Sequence, residues 1–208
     1  MTRVGIRPTY WFTQFVVRVL FKLLYGLKVY GLENVPKKGR FILVSNHVSE
    51  LDPPIIGSFT PREVFFAAKE QLFKNRIIGA FFRYHNCIPI RRHGSDTEAI
   101  KKLTKCLRED NPVLIFPEGT RTLDPNGIEA KAGVGMIATL GKADLLPTRI
   151  DGTHKAKPSL FRRNRITLRY GEVIKLESLV NKDLSKKENY RLVADSIMQS
   201  IRDMAPDD

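Results

Sequence analysis

"FILVSNHVSELDPPIIG" (41–57) reads in three parts. The unbroken apolar run 41–45 suits a strand covered on both faces. Asp52-Pro53-Pro54 reads as a helix start, with Asp52 as N-cap and proline at the first helical position. His47 then sits in the loop leaving the strand, five residues before an aspartate at the mouth of the next helix. The spacing alone is weak evidence of a catalytic pair. A loop histidine bonded to backbone and an ordinary helix cap would look the same. The two readings of Asp52 are compatible, since one carboxylate can cap a helix and orient an imidazole.

Outward from this stretch the pattern repeats. "VFFAA" (64–68) and "CIPI" (87–90) read as strands, with a helix over about 72–84 between them. A helix with Ser95 and Glu98 as capping box follows, its apolar face carrying Ala99, Ile100, Leu103, Cys106 and Leu107. Asn111-Pro112 stops it, and "VLIF" (113–116) is another buried strand. Residues 132–141 read as helix, 145–150 as strand, and "RITLRYG" (165–171) as an alternating strand. A last helix opens at Ser185, with Glu188 completing a second capping box. Its apolar stripe is Tyr190, Val193, Ile197, Ile201 and Met204. Strands alternating with helices predict an α/β domain, a mixed and largely parallel sheet flanked by helices. "GLENVPKKG" (31–39) is a turn-rich connector. It divides the chain into an N-terminal helical segment, 1–30, and a domain over 31–208.

Two hundred and eight residues make one large domain with a real core. The two cysteines show no metal spacing and no disulfide framework, as in a reduced, cytosol-facing protein. The net charge of +13 calls for an anionic partner: nucleic acid, a membrane surface or an anionic substrate. The excess is uneven. No acidic residue precedes Glu33, and a second basic cluster runs through Lys155, Lys157, Arg162, Arg163 and Arg165. Nucleic acid fits poorly, because the aromatics gather in one greasy helix instead of interleaving with the basic clusters.

That helix is "YWFTQFVVRVLFKLLYG" (10–26). Gln14, Arg18 and Lys22, four apart, form a thin polar stripe on an otherwise apolar cylinder, so most of its circumference must be covered. It is too interrupted to span a bilayer. Two fates remain. It packs into the domain core, or it lies in a bilayer interface with Arg18 and Lys22 at the headgroups and Tyr10, Trp11 and Tyr25 at the boundary. The acid-free N-terminus favours the membrane, with Trp11, Phe12 and Phe15 as contacts. Phe161 and Arg162, with Leu160 and Arg163, supply a second contact in the basic loop, whose alternative is a solvated loop.

Ligands of α/β sheets gather at the carboxyl ends of strands. Three such ends carry polar sets here: Asn46, His47 and Asp52; Arg91 and Arg92; and Pro117, Glu118, Gly119, Thr120 and Arg121. Singly each has an ordinary explanation as a turn or a solvated edge. Together they describe a base, a carboxylate to orient it, and guanidinium groups for a phosphate. That is the equipment for acyl transfer to the hydroxyl of a phosphate-bearing molecule.

At these residues the chain resembles the 1-acyl-glycerol-3-phosphate acyltransferases, within the wider glycerolipid acyltransferases. "NHVSELD" (46–52) matches their Asn-His-x-Ser-x-x-Asp block. "PIRR" (89–92) matches a Pro-hydrophobic-x-Arg block, though Arg91 stands where the family often has an acid. "FPEGTR" (116–121) matches without change. Lys131 and Gly133 follow as a Lys-x-Gly, and "LLPTRI" (145–150) as a late strand with proline. The resemblance covers roughly 30–175.

It implies transfer of a fatty acyl group from acyl-CoA or acyl carrier protein to the 2-hydroxyl of lysophosphatidic acid, with His47 as general base and Asp52 its partner. Arg92, Glu118, Gly119, Thr120, Arg121 and Lys131 would hold or organise the phosphate end. Ser49 would be structural, and no metal or resident cofactor is expected. Glycerol-3-phosphate or another lysophospholipid remains an alternative acceptor. The expected place is the cytoplasmic face of a membrane, peripheral or monotopic.

Overall fold

The structure, a computed structural model, describes residues 7–90, 97–122, 129–158 and 166–204. Seven strands form one sheet: β1 (Lys28–Tyr30), β2 (Phe41–Ser45), β3 (Phe65–Lys69), β4 (Cys87–Ile90), β5 (Val113–Ile115), β6 (Asp144–Asp151) and β7 (Thr167–Tyr170). Their spatial order is β1-β7-β6-β2-β5-β3-β4. Strands β2 to β6 are mutually parallel, whereas β7 runs antiparallel to β6 and carries β1 parallel to itself. The mixed, largely parallel sheet is as the alternation of elements predicts. β1 is too short to announce itself by periodicity. It brings residues 28–30 into the sheet, although the sequence reading places them with the N-terminal segment.

Two apolar layers cover the sheet. On one face, Ile42, Val44, Val113 and Leu145 meet α4 (Thr97–Arg108), α5 (Gly133–Gly141) and α7 (Lys186–Asp203). On the other, Leu43, Leu114, Leu146 and Leu168 meet α2 (Asp52–Phe59) and the inner side of α1 (Pro8–Tyr25). β2 lies between the layers with all five residues buried, as its unbroken apolar run requires. A third helix, α3 (Arg76–Tyr84), connects β3 to β4, and a short helix, α6 (Leu176–Leu179), precedes α7. The Ser185–Glu188 capping box forms in full. Ser95, proposed to open α4, lies outside the described residues.

α1 exists where its pattern predicts, but its polar stripe faces the protein. Gln14 is buried and its Nε2 donates to the carbonyls of Gly57 and Thr60, at 2.9 and 3.1 Å. Arg18 Nε donates to the Ser58 carbonyl at 2.6 Å. These carbonyls close the C-terminal end of α2, where backbone acceptors lack helical partners and a cation is favoured. The stripe therefore caps a neighbouring helix. The expectation that Arg18 meets headgroups is corrected, as is the boundary position of Tyr10, whose ring is buried. Lys22 stays exposed. The apolar side, with Trp11, Phe12, Phe15, Val19, Leu20 and Leu23, is left exposed by the other described residues. Among the described residues, no helix is long and apolar enough to cross a membrane.

The start of α1 is pinned separately. Glu63 accepts the Arg7 backbone N–H at 2.6 Å and its guanidinium at 2.9 Å, while Arg7 Nη2 also reaches Asn86 Oδ1. Burial works to raise the Glu63 carboxyl, but these donors outweigh it and hold the group below its ordinary range.

Candidate active site

Parallel strands deliver their loops to one edge, and β6, β2 and β5 are adjacent, so three loops meet there. His47 leaves β2, Glu118 leaves β5 and Thr153 leaves β6. His47 Nδ1 lies 2.9 Å from Asp52 Oδ2. The same carboxylate oxygen accepts the backbone N–H groups of Val48 and Ser49, at 2.8 and 2.7 Å. Its other oxygen accepts the Thr153 hydroxyl at 2.6 Å. Asp52 is fully buried and accepts from four donors, so its burial is compensated by hydrogen bonds.

The expected N-cap role of Asp52 is corrected. Leu51 occupies the cap position, Asp52 is the first helical residue, and its side chain turns back to the preceding loop. Pro53, beside it in the first turn, lacks the N–H that a cap would serve. The carboxylate is thereby committed to shaping the 47–49 loop and holding the imidazole. With Asp52 as acceptor, the ring proton belongs on Nδ1 and the basic lone pair on Nε2. The His47 side chain is 18 % exposed, and its ring stacks on Phe116 with centroids 4.1 Å apart. The imidazole is fixed from one edge and one face.

Glu118 supports the same loop from below. Its Oε2 accepts the His47 backbone N–H at 2.9 Å, and the Thr122 N–H returns to the His47 carbonyl at 2.9 Å. The "NHVSELD" and "FPEGTR" blocks are thus one hydrogen-bonded unit. Among the described residues, buried Glu118 Oε1 finds no hydrogen-bond partner. Burial pushes the carboxyl up to about 7. The His47 amide opposes the shift, the nearby Asp52 adds to it, and Arg202 opposes it.

Gly119 adopts φ +70°, and a Cβ there would come within 2.5 Å of Lys131 Nζ. Only glycine allows that turn and that closeness of ammonium to backbone. The Lys131 N–H donates to the Pro117 carbonyl at 2.9 Å, which seats the lysine against the loop. Arg121 reaches Glu50 at 2.9 Å across the mouth, and Thr120 is exposed beside it. Ser49 Oγ accepts the Leu51 N–H at 3.3 Å, a local turn contact. Asn46 clamps β2 to β6 by exchanging two 2.8 Å bonds with the Ile150 backbone.

Arg91 and Arg92 lie outside the described residues, as do Phe161 and Arg162. β4, which leads to the arginines, is three strands from β2, roughly 14 Å at ordinary strand spacing. Thr153 is the site residue that sequence reading misses. It follows the strand around Pro147, so the strand-end argument that finds His47 and Glu118 reaches it too.

Residues 26–151 match the family model described as "Acyltransferase". The chain belongs to the acyltransferase family. Among its relatives, the 1-acyl-sn-glycerol-3-phosphate acyltransferase of Bacillus subtilis is 31% identical, over 94% of this chain and 96% of that protein. The enzyme of the same name from Streptococcus pneumoniae is 28% identical, over 79% of this chain and 61% of its own length. The crystal structure of the 1-acyl-sn-glycerophosphate acyltransferase PlsC from Thermotoga maritima superposes with a TM-score of 0.69. It is 26% identical, and the match covers 94% of this chain and 80% of that one. The chain is accordingly an acyltransferase enzyme with the α/β fold of this family. Among its described residues, no group of three or more histidines, cysteines, aspartates or glutamates could hold a metal ion.

Proposed function

We propose that this acyltransferase moves a fatty acyl group from a thioester, acyl-CoA or acyl carrier protein, to the 2-hydroxyl of 1-acyl-sn-glycerol-3-phosphate. The product is the diacylated phosphate, phosphatidic acid. The observation that carries the reading is the Asp52–His47 contact, held by a carboxylate whose other acceptor sites are filled.

In this reading His47 Nε2 takes the proton of the acceptor hydroxyl as its oxygen attacks the thioester carbonyl. The tetrahedral intermediate collapses with cleavage of the C–S bond, and the imidazolium returns the proton to the departing thiolate. Asp52 fixes the tautomer and stabilises the imidazolium. Lys131, Arg121, Thr120, the Gly119 backbone and Arg92 are the candidates for the phosphate, a dianion best met by ammonium and guanidinium groups. Glu118 organises from behind, since its Oε2 holds the His47 amide. In the same reading, residues 11, 12, 15 and 22 of α1 rest on a lipid surface and the enzyme sits peripherally on the cytoplasmic face, beside both lipid substrate and lipid product.

Thiol release over a panel of acceptors, with acyl-CoA and acyl carrier protein donors, tests this. Turnover with 1-acyl-sn-glycerol-3-phosphate exceeding that with glycerol-3-phosphate or choline lysophospholipids is expected. A preference for either of the others would reassign the acceptor.

A further inference from the structure

α3 carries a second uncovered apolar face. Ile77, Ile78, Phe81 and Tyr84 are exposed, Ile77 to 82 %, and Leu72 is exposed just before the helix. Their spacing puts them on one side. The opposite side is seated by Gly79, where a Cβ would meet the Phe73 carbonyl at 2.7 Å. So α3 is held firmly to the domain while presenting large apolar side chains outward.

This face adjoins the uncovered side of α1. His85 bridges the two helices, with Nε2 3.2 Å from Thr13 Oγ1 and its ring 4.2 Å from the Phe81 ring. Arg7 lies over the Tyr84 ring at 4.7 Å. Charge adds an independent indication. Residues 71–95 contain no aspartate or glutamate, just as residues 1–32 contain none. Exposed Lys74 and Arg76 stand at the start of α3, whereas Arg83 turns to the Gly79 side, over the Phe73 ring at 5.3 Å. β3 also delivers the chain to the start of α3 at the sheet edge that holds His47, because β2 and β3 run the same way.

We propose that α3 is a second membrane-contacting element, joined to α1 in one face that rests on an anionic lipid leaflet. The proposal rests on the reading that the enzyme works at a lipid surface, and extends it to a helix whose sequence reads as an ordinary connector. Apolar side chains rimmed by lysine and arginine suit the boundary between headgroups and acyl chains. A second copy of the chain fits less well, since it would bring two acid-free basic faces together.

The test is co-sedimentation of the full-length protein with vesicles of phosphatidylcholine alone or with phosphatidylglycerol, comparing wild type with I77D/F81D. The variant is expected to melt like the wild type and to partition onto anionic vesicles at least about tenfold less. Wild-type binding by a folded variant would overturn the role of α3 while leaving that of α1 intact. Failure of the wild type to bind any vesicle would overturn both. A W11F/F81W variant gives a second readout: its fluorescence should shift to the blue and be quenched by brominated lipid. Absence of quenching would overturn the proposal even if the aspartate variant misfolds. Light scattering that shows a wild-type dimer, turned to monomer by I77D/F81D with unchanged vesicle binding, would assign the face to a second copy and overturn it as well.

Discussion

Asp52 holds the His47 imidazole at Nδ1, 2.9 Å away, and holds much else besides. The carboxylate serves the loop amides of Val48 and Ser49 and the Thr153 hydroxyl, about a hundred residues away. No local spacing encodes that last contact. Asp52→Asn keeps the shape but loses the charge that favours the imidazolium, and kcat is expected to fall by about 10²–10⁴. Thr153→Val removes one donor to a buried charge. It should lower kcat severalfold with little change in KM and cost about 1–3 kcal/mol in unfolding free energy. Unchanged kcat in steady-state assays would show that Thr153 does not position the pair.

Glu118 gives the residue scale its pH dependence. Its folded carboxyl is raised to about 7, above the ordinary value of 4.5. The native state therefore binds more protons than the unfolded chain between those values, and stability falls as pH rises from about 4.5 to 7. Glu118→Gln keeps an acceptor for the His47 N–H and removes the buried charge. At pH 8 the variant is expected to be more stable than wild type by up to about 2–3 kcal/mol, with the difference vanishing near pH 4. Denaturant titrations across that range would read it.

At the scale of elements, the sequence located most of the helices and the buried strands, because their periodicities are long or their apolar runs unbroken. What it could not place were contacts made across the sheet. α1 is the clearest case. Arg18 reads as a headgroup contact, yet with Gln14 it closes the end of α2, where orphan backbone carbonyls need donors. β1 and α6 are three and four residues long, too short for any period to show. The crossing of α5 and α7 is set by Gly135, where a Cβ would sit 2.1 Å from the Tyr190 carbonyl. Gly135→Ala should force the helices apart and cost about 1–3 kcal/mol in chemical unfolding.

For the whole molecule, charge and apolar exposure point the same way. A net charge of +13 and two uncovered helix faces fit an enzyme that meets anionic lipid. The electrostatic part of vesicle binding should weaken as salt rises from 0.05 to about 0.5 M, as the screening length shrinks. Binding that is indifferent to salt would leave only the apolar faces to explain it. The composition calls for an anionic partner, and the fold turns Gln14 and Arg18, though not Lys22, toward the end of α2.

The central claim is that His47 is the base of the acyl transfer. It is tested most directly by thiol release from acyl-CoA with 1-acyl-sn-glycerol-3-phosphate, comparing wild type with His47→Ala. The account predicts a loss of kcat of at least about 10²-fold in a variant whose melting temperature stays near that of the wild type. Wild-type turnover by folded His47→Ala protein would contradict it.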